Sequence, residues 1–471
     1  MKRFPLLFSV LLILWSCKKA NVPADQPDLK SDVSKQANVQ LRSNPTWNLL
    51  GYGYNVTGEY AKSTSARGQI INIQALKNAH PSAVEEEIFL NEDFSAELGG
   101  NSIEVSKGLT FKAGLDSVNI KAFKGSFTAA YQDSTYKSSK YIFAKYNLKK
   151  IQKRLYLIAP LTLLQSYLDP GFVSAIQSQT PAYIVQNYGT HFMKDILLGG
   201  RLEAFYEAQT SNSNRRNAAG GGLEISVLKI FGFSAGYSTI TSEAASNFSQ
   251  KLHYNVVGGT VSVETKTVSI DPNSTVIPVD ISNWKNSVTP SSSTLIEFNN
   301  PYPGAEPLIP IYELIANPAK KAAVKSYIEQ YLINNRVKID PESVYENYCA
   351  SISDHIYTLN PNENLQYNGW VHHGAAFKAF ASQVPGTVPV FESYNDSWYM
   401  HHYAQNQYET SGWPGFVNNG MGWVKFYAYK TQVAGTVPVY QYRANRDYVY
   451  STNGNLSGMI LEGVAFYAIP N

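Results

Sequence analysis

Eight histidines and two cysteines are the side chains best suited to hold a metal or to act as base and nucleophile, and their spacing supports neither role. His191 stands in Tyr188-Gly189-Thr190-His191-Phe192 with no Cys, Asp or second His at a recognised ligand spacing. It therefore reads as a structural histidine, hydrogen-bonded between a helix and a sheet, with Tyr188 and Phe192 as packing residues. No nucleophile elbow, phosphate loop or metal-ligand cluster is present in the sequence, so no catalytic residue, metal or cofactor is assigned and no enzyme is expected. Glu85-Glu86-Glu87 reads as a solvated helix face. Five histidines, His355, His372, His373, His401 and His402, gather near the C-terminus among Trp370, Trp398, Tyr403, Trp413 and Trp423. Aromatic rings give contact area at low entropy cost and stack on the apolar faces of sugars. His372, His373, Trp398, His401 and His402 are thus candidates for contacting a receptor or glycan; burial in a small β core is the other use of such rings.

The chain has 471 residues, enough for two or three domains. Its net charge of +3 and lack of a basic stripe argue against a nucleic-acid partner. Charged residues make up 16% against a usual value of about 25%, and there are 33 tyrosines, which suits an extracellular β-rich protein. Residues 1–17 form a targeting segment: Lys2-Arg3 is the positive region, and the apolar run Phe4 to Trp15 is too short to span a bilayer. It ends in Leu14-Trp15-Ser16-Cys17, which resembles a bacterial lipobox. The resemblance implies lipid on Cys17 after cleavage before it; the alternative is a secretory peptide with an incidental cysteine. Only Cys349 then remains, so no intrachain disulfide is expected. A multi-acyl anchor would hold the chain to a membrane, as an outer-membrane or cell-surface lipoprotein or one released from the cell. Residues 18–45 are polar and read as a flexible tether.

The elements around His191 are more informative than its chemistry. Thr180-Pro181 is a good cap and first turn for a helix reaching Asn187. Ile196-Leu197-Leu198 reads as a strand running into Gly199-Gly200, and paired glycines in a strand mark a bulge, bend or close backbone approach. Trp47 to Gly58 is a glycine-aromatic opening, Asn255-Val256-Val257-Gly258-Gly259 a second apolar run ending in Gly-Gly, and Asp169-Pro170-Gly171 another helix start. Val324, Tyr327, Ile328, Tyr331 and Leu332 keep the three-four spacing of an amphipathic helix. This ordered series resembles the membrane attack complex/perforin (MACPF) family over residues 46–335. One position departs: where the family often has a tyrosine seven residues before the signature, this chain has Pro181, with Tyr183 nearby. The resemblance implies an α+β fold with a bent, twisted antiparallel sheet flanked by helical clusters, the diglycine lying at the bend.

Two stretches carry the membrane argument. In 101–140, Leu109, Phe111, Ala113 and Leu115 alternate with polar or small residues, and Val118 and Ile120 continue the run after a slip. In 211–250, Leu223, Ile225, Val227, Phe231, Phe233, Ala235 and Tyr237 share a side, broken by Lys229. A membrane β-strand needs about 9–11 residues of such alternation. The pattern equally fits a soluble sheet with one wet face, or surface helices. The resemblance implies helical clusters that unwind into hairpins, packed against opposite edges of the sheet, with Gly220-Gly221-Gly222 as a flexible start.

Residues 336–471 change character. Gly386-Thr387-Val388-Pro389-Val390-Phe391 recurs as Gly435-Thr436-Val437-Pro438-Val439-Tyr440, with a weaker first copy at Val344-Tyr345. Each copy has an aromatic hairpin and closes on a glycine before Phe377, Phe426 or Phe466. Three β units that cannot bury their own apolar faces imply pseudo-threefold packing, best as a β-trefoil, with a short propeller-like array as the rival. The shared elements should be structural, and binding residues should lie where the copies differ. The whole resembles a lipid-anchored pore former that binds a target cell, oligomerises with copies of itself and inserts hairpins into membrane lipid. Similar lipoproteins of gut Gram-negative bacteria imply an antibacterial toxin; a non-lytic adhesin or glycan-binding protein is the rival.

Overall fold

The computed structural model describes residues 47–115, 121–131, 134–270, 278–302 and 304–471. The targeting segment with Cys17, the tether, and Val118 and Ile120 lie outside the described residues.

Four long strands carry the central sheet: β1 (Val84–Gly99), β2 (Tyr141–Leu157), β3 (Asp195–Thr210) and β4 (Asn247–Val257), with the short β5 (Lys266–Ser269) at one edge. They pair antiparallel in the order β1-β2-β3-β4-β5, and β6 (Thr294–Phe298) joins the start of β3. Glu85, Glu86 and Glu87 lie in β1, opposite Tyr156, Leu155 and Arg154, rather than on the helix face expected. β1 is an edge strand, where charged side chains discourage pairing with a stray chain.

Successive side chains point to opposite faces of a strand. Register therefore sets Ala96, Tyr146, Ala204 and Tyr254 on one face and Glu97, Lys145, Phe205 and His253 on the other. Each face is covered by one of the two stretches proposed from sequence. The first contains helices α1 (Ser102–Lys112), capped by Asn101, and α2 (Lys124–Ala130). Two further helices frame the histidine signature: α3 (Pro181–Tyr188) before it, and, near the domain's end, α5 (Pro318–Asn335). The second stretch contains α4 (Arg215–Phe231), capped by Asn214 and closed by Gly232 in the left-handed region at φ 76°. Ile103, Val105 and Leu109 pack with Phe143 and Phe205; Leu223, Val227 and Ile230 pack with Ala144, Tyr146 and Tyr206. The clusters thus cover opposite faces, not opposite edges, because both faces of β2 and β3 carry apolar residues.

The alternation seen in the sequence is a helical stripe in this state. Leu223, Val227 and Phe231 are spaced by four, a step that keeps to one face of both a helix and a strand. The steps of two separate the cases: Phe111 is 64% exposed and Ile225 41%, while Leu109, Leu115, Leu223 and Val227 are buried. Phe233 is partly buried against the same core. The three glycines are not a flexible start but the buried side of α4, where a Cβ on Gly222 would lie 2.1 Å from Tyr206 Oη and one on Gly221 2.3 Å from Ile240 O. Among the described residues no helix is long and apolar enough to cross a membrane.

The C-terminal region is all-β. Its units are Glu342–Cys349, Asp354–Thr358 and Trp370–Ala379; Thr387–Asn395, Met400–Ala404 and Trp423–Tyr429; and Val437–Ala444, Asp447–Ser451 and Ile460–Ala468. In each unit the first strand lies between the other two. The Tyr357 amide donates to Tyr403 Oη (2.9 Å), that of Tyr403 to Tyr450 Oη (2.8 Å), and that of Tyr450 to Tyr357 Oη (3.0 Å). Phe377, Phe426 and Phe466 form a second triangle, with ring centroids 5.5–5.8 Å apart. The units also pair with one another: Tyr429 lies opposite Tyr467, so the second and third share a six-stranded sheet, and Lys378 and Phe380 of the first bridge to Ile469 and Tyr427. Thr387 and Thr436 of the repeated motif each close a turn by bonding the backbone of Val384 and Val433.

Candidate membrane-insertion site

The histidine signature joins a helix to two sheets. Thr180 caps α3 through the Tyr183 amide, and Gly189, at φ 78°, ends it. His191–Met193 then forms a short strand between Tyr52–Tyr54 and Leu308–Pro310. His191 is buried, its Nδ1 is 3.0 Å from Thr190 Oγ1, and burial pulls its pKa down to about 3. A histidine so held is neutral and structural. Tyr188 packs edge-on against Phe172, and Phe192 is in the core.

Gly199 and Gly200 lie in β3 where the sheet changes partners. β3 pairs with β6 up to Gly199 and with β4 from Arg201, and the opposing β2 has a bulge between Ile151 and Lys153. A Cβ on Gly199 would lie 2.0 Å from Lys150 O, and one on Gly200 2.4 Å from Val288 Cγ2. Gly258, in the second diglycine, meets Gly199 O in the same way at 2.2 Å, and its own carbonyl accepts from Trp284 Nε1 at 2.9 Å. Gly200→Val should therefore cost about 1–3 kcal/mol through overpacking, read as a lowered urea midpoint at unchanged slope. Wild-type stability in that variant would mean that the strand moves away without strain.

Beneath this junction, on the face covered by α1, lies a buried charge cluster that the sequence did not reveal. Glu203 is ion-paired with Lys145 (2.8 Å), Lys62 (2.8 Å) and Arg201 (2.9 Å), and Lys145, Arg201 and Glu203 are at most 1% exposed. Arg201 also donates to the carbonyls of Tyr60 and Ile296, and Lys145 lies 4.9 Å from the Phe205 ring centroid. Lys149 bridges Asp93 at 2.8 Å and Glu297 at 3.4 Å, and Tyr60 Oη donates to Glu297. Burial disfavours the Glu203 carboxylate, but Arg201, Lys145 and Lys62 outweigh it and hold its pKa well below the usual range. Burial pulls the Lys145 ammonium down. The cluster ties β2, β3 and β6 to the Tyr60–Lys62 turn. Its only sequence trace is period-two charge at Lys145, Lys149, Arg201 and Glu203, which reads as a wet strand face.

The bases of the two helical stretches meet the C-terminal units. Arg215, the first residue of α4, donates to Gly100 O (3.0 Å), Ser139 O (2.9 Å), Lys140 O (3.1 Å) and Tyr141 O (3.1 Å); burial pulls its pKa down to about 10. Asn101, the cap of α1, donates to Ser382 Oγ (3.1 Å) and Gln383 O (3.0 Å), and Ser138 Oγ is 2.5 Å from Glu342 Oε1. The start of β2 and both helical starts are thus pinned together and to the first unit.

The target-binding candidates divide. Trp398 is 45% exposed, and His373 is exposed beside Glu346. His372 Nδ1 is 2.8 Å from Asn347 Oδ1, and His401 Nδ1 is 2.8 Å from Asp354 Oδ2 of the first unit. His402 is buried, edge-on to Tyr448 at 4.7 Å, with its pKa pulled down by burial to about 4. It is a core residue and not a surface contact: adjacent strand residues face opposite ways, so His401 and His402 cannot share a role. Although no metal is assigned from the sequence, Glu346, His355 and His373 bring three ligand atoms within 4.8 Å of one another.

Comparison with known proteins agrees with this geometry. The MAC/Perforin domain matches residues 40–340, and a domain of unknown function (DUF5648) matches residues 322–425 and 343–469. No curated protein matches the chain. Among solved structures, the chain is similar to a protein described as a cell invasion protein with a MAC/Perforin domain from Bacteriodes thetaiotaomicron VPI-5482, at 17% identity and a TM-score of 0.50. That match covers 68% of this chain and 71% of that one. GNIP1Aa from Chromobacterium piscinae is similar at 14% identity and a TM-score of 0.46, covering 90% of this chain and 82% of that one. At such identities the likeness concerns the fold alone. With the family match spanning most of its length, the chain belongs to the MAC/Perforin domain family.

Proposed function

We propose that this protein is a lipid-anchored pore former, held through Cys17, that binds a target-cell surface with its C-terminal units, assembles with copies of itself and inserts two hairpins. The carrying observation is connectivity. The stretch with α1 and α2 joins β1 to its antiparallel neighbour β2, and the stretch with α4 joins β3 to β4. Unwinding either one lengthens an existing hairpin without changing register. Each arm then has the about 9–11 residues a membrane strand requires, and closure into a barrel leaves no backbone group unpaired in lipid. Helix α4 is a weak helix to unwind: Gly220, Gly221 and Gly222 each cost about 1 kcal/mol of helix propensity relative to alanine. Leu109, Phe111, Leu115, Leu223, Ile225, Val227, Phe231 and Phe233 would supply the lipid face. No catalytic step is part of this proposal. Killing of competing bacteria is the use we propose.

The test is a pair of cysteine locks. Gly108 abuts Glu97 and Gly220 abuts Leu98, so double cysteine variants at each pair would staple one helix to β1. Oxidised locks should abolish dye release from liposomes and target cells, and reduction should restore it. Unchanged release from oxidised protein would overturn hairpin insertion. Exposed Trp398, Tyr399, Trp413 and Trp423 favour a second reading, a non-lytic adhesin or glycan-binding protein. Cell binding without leakage from the unlocked protein would select it.

A further inference from the structure

The first C-terminal unit holds a side-chain cluster that neither of its copies reproduces. Glu346 stands opposite the ring tyrosine Tyr357, as Glu392 stands opposite Tyr403 and Gln441 opposite Tyr450. In the second unit Glu392 is already neutralised, accepting from Lys425 Nζ at 3.0 Å and Tyr403 Oη at 2.6 Å. In the third the equivalent residue is neutral, and Gln441 donates to Glu462 at 2.8 Å. Glu346 instead faces two imidazoles: its Oε1 is 3.0 Å from His373 Nδ1 and 3.6 Å from His355 Nε2.

The other nitrogen of His355 decides what these atoms can do. His355 Nδ1 is bonded to Asp447 Oδ2 of the third unit, a carboxylate that accepts the ring N–H. A neutral His355 with its proton on Nδ1 presents the Nε2 lone pair to the Glu346 oxygen, so two acceptors face each other. Such an arrangement is relieved by a cation between them. Tyr348 stacks on His355 with centroids 4.2 Å apart and keeps the ring in place.

We infer that Glu346, His355 and His373 form a divalent-metal site suited to zinc. Two imidazoles and one carboxylate are a three-ligand zinc set that leaves the fourth tetrahedral position to water or to an oxygen donor of a bound molecule. Asp447 is the outer carboxylate that fixes the tautomer of His355. The Glu346–His373 separation already suits ligands at about 2.0–2.2 Å from one ion, and the exposed His373 ring can turn to complete the set. His372 takes no part: its ring nitrogens are not among the three ligand atoms that come together, and its Nδ1 is held by Asn347.

The experiment uses untagged mature protein stripped with a chelator, loaded with zinc chloride, dialysed and assayed by elemental analysis. A single retained zinc per chain is expected. Glu346→Gln and His373→Ala should each abolish retention, and Asp447→Asn should weaken affinity by about 10–100-fold. His372→Ala should retain zinc as the wild type does. Zinc should also raise the melting temperature of the wild type but not of His373→Ala, a readout taken on protein whose circular dichroism matches wild type. Absence of zinc from the wild type, or equal retention by His373→Ala, would overturn the site.

Discussion

Glu203→Gln should destabilise the central domain by about 3–5 kcal/mol, because it leaves Lys145 and Arg201 buried without their shared carboxylate. Glu203 is 1% exposed and within 2.9 Å of three cationic groups, while Lys145 and Arg201 are fully buried. Lys62 keeps a second partner, Glu59 at 2.6 Å, so the loss falls mainly on the other two. A total of about 5–15 kcal/mol is usual for a domain, so this one atom change threatens the fold. Urea unfolding followed by tryptophan fluorescence measures it. Adding Lys145→Met to the variant should recover part of the loss, since a buried charge replaced by an apolar side chain of similar length is often neutral. A loss below about 1 kcal/mol would overturn the view that Glu203 is what compensates the two buried cations.

The same cluster explains why some of the fold was legible and some was not. Gly199-Gly200 announced a sheet discontinuity because only steric absence lets β2 and Val288 approach there, and sterics act on residue type. The helical stretches were legible as apolar but not as helices, because Leu223, Val227 and Phe231 satisfy both periods; only exposure of Ile225 and Phe111 separates them. Arg201 and Glu203 were illegible for a different reason. Charge at alternate strand positions marks a wet face in most sheets, and α1 covers this one only through contacts distant in sequence. The threefold centre was legible since three copies must fill it alike, as Tyr357, Tyr403 and Tyr450 do. The Glu346, His355 and His373 cluster was not, because register rather than spacing assembles it across three strands. Asn101 and Arg215, which pin the two helical stretches, looked like ordinary polar residues beside helix starts.

Acidification from pH 7 to 5 should weaken the fold by about 2 kcal/mol through His191 alone. Its ordinary pKa is 6.5, and burial lowers it to about 3 in the folded chain. Between those values the unfolded chain binds a proton that the folded chain refuses, so stability is complete above pH 6.5 and falls as the pH drops toward 3. Each unit of pH in that window is worth about 1.36 kcal/mol, and 1.5 units separate pH 6.5 from pH 5. His402, held by burial at about 4, imposes the same direction on the C-terminal region. Glu203 adds to the loss only later, as the pH falls below the ordinary glutamate range, because its carboxylate is the favoured form in the fold. Scanning calorimetry at pH 7 and pH 5 should show the central transition shifted down by about 4–8 °C. His191→Gln, which keeps a polar partner for Thr190 but cannot titrate, should lose most of that shift whatever its starting stability. An equal shift in His191→Gln and wild type would mean that the acid sensitivity lies in other groups and that His191 accepts its proton without opening the signature.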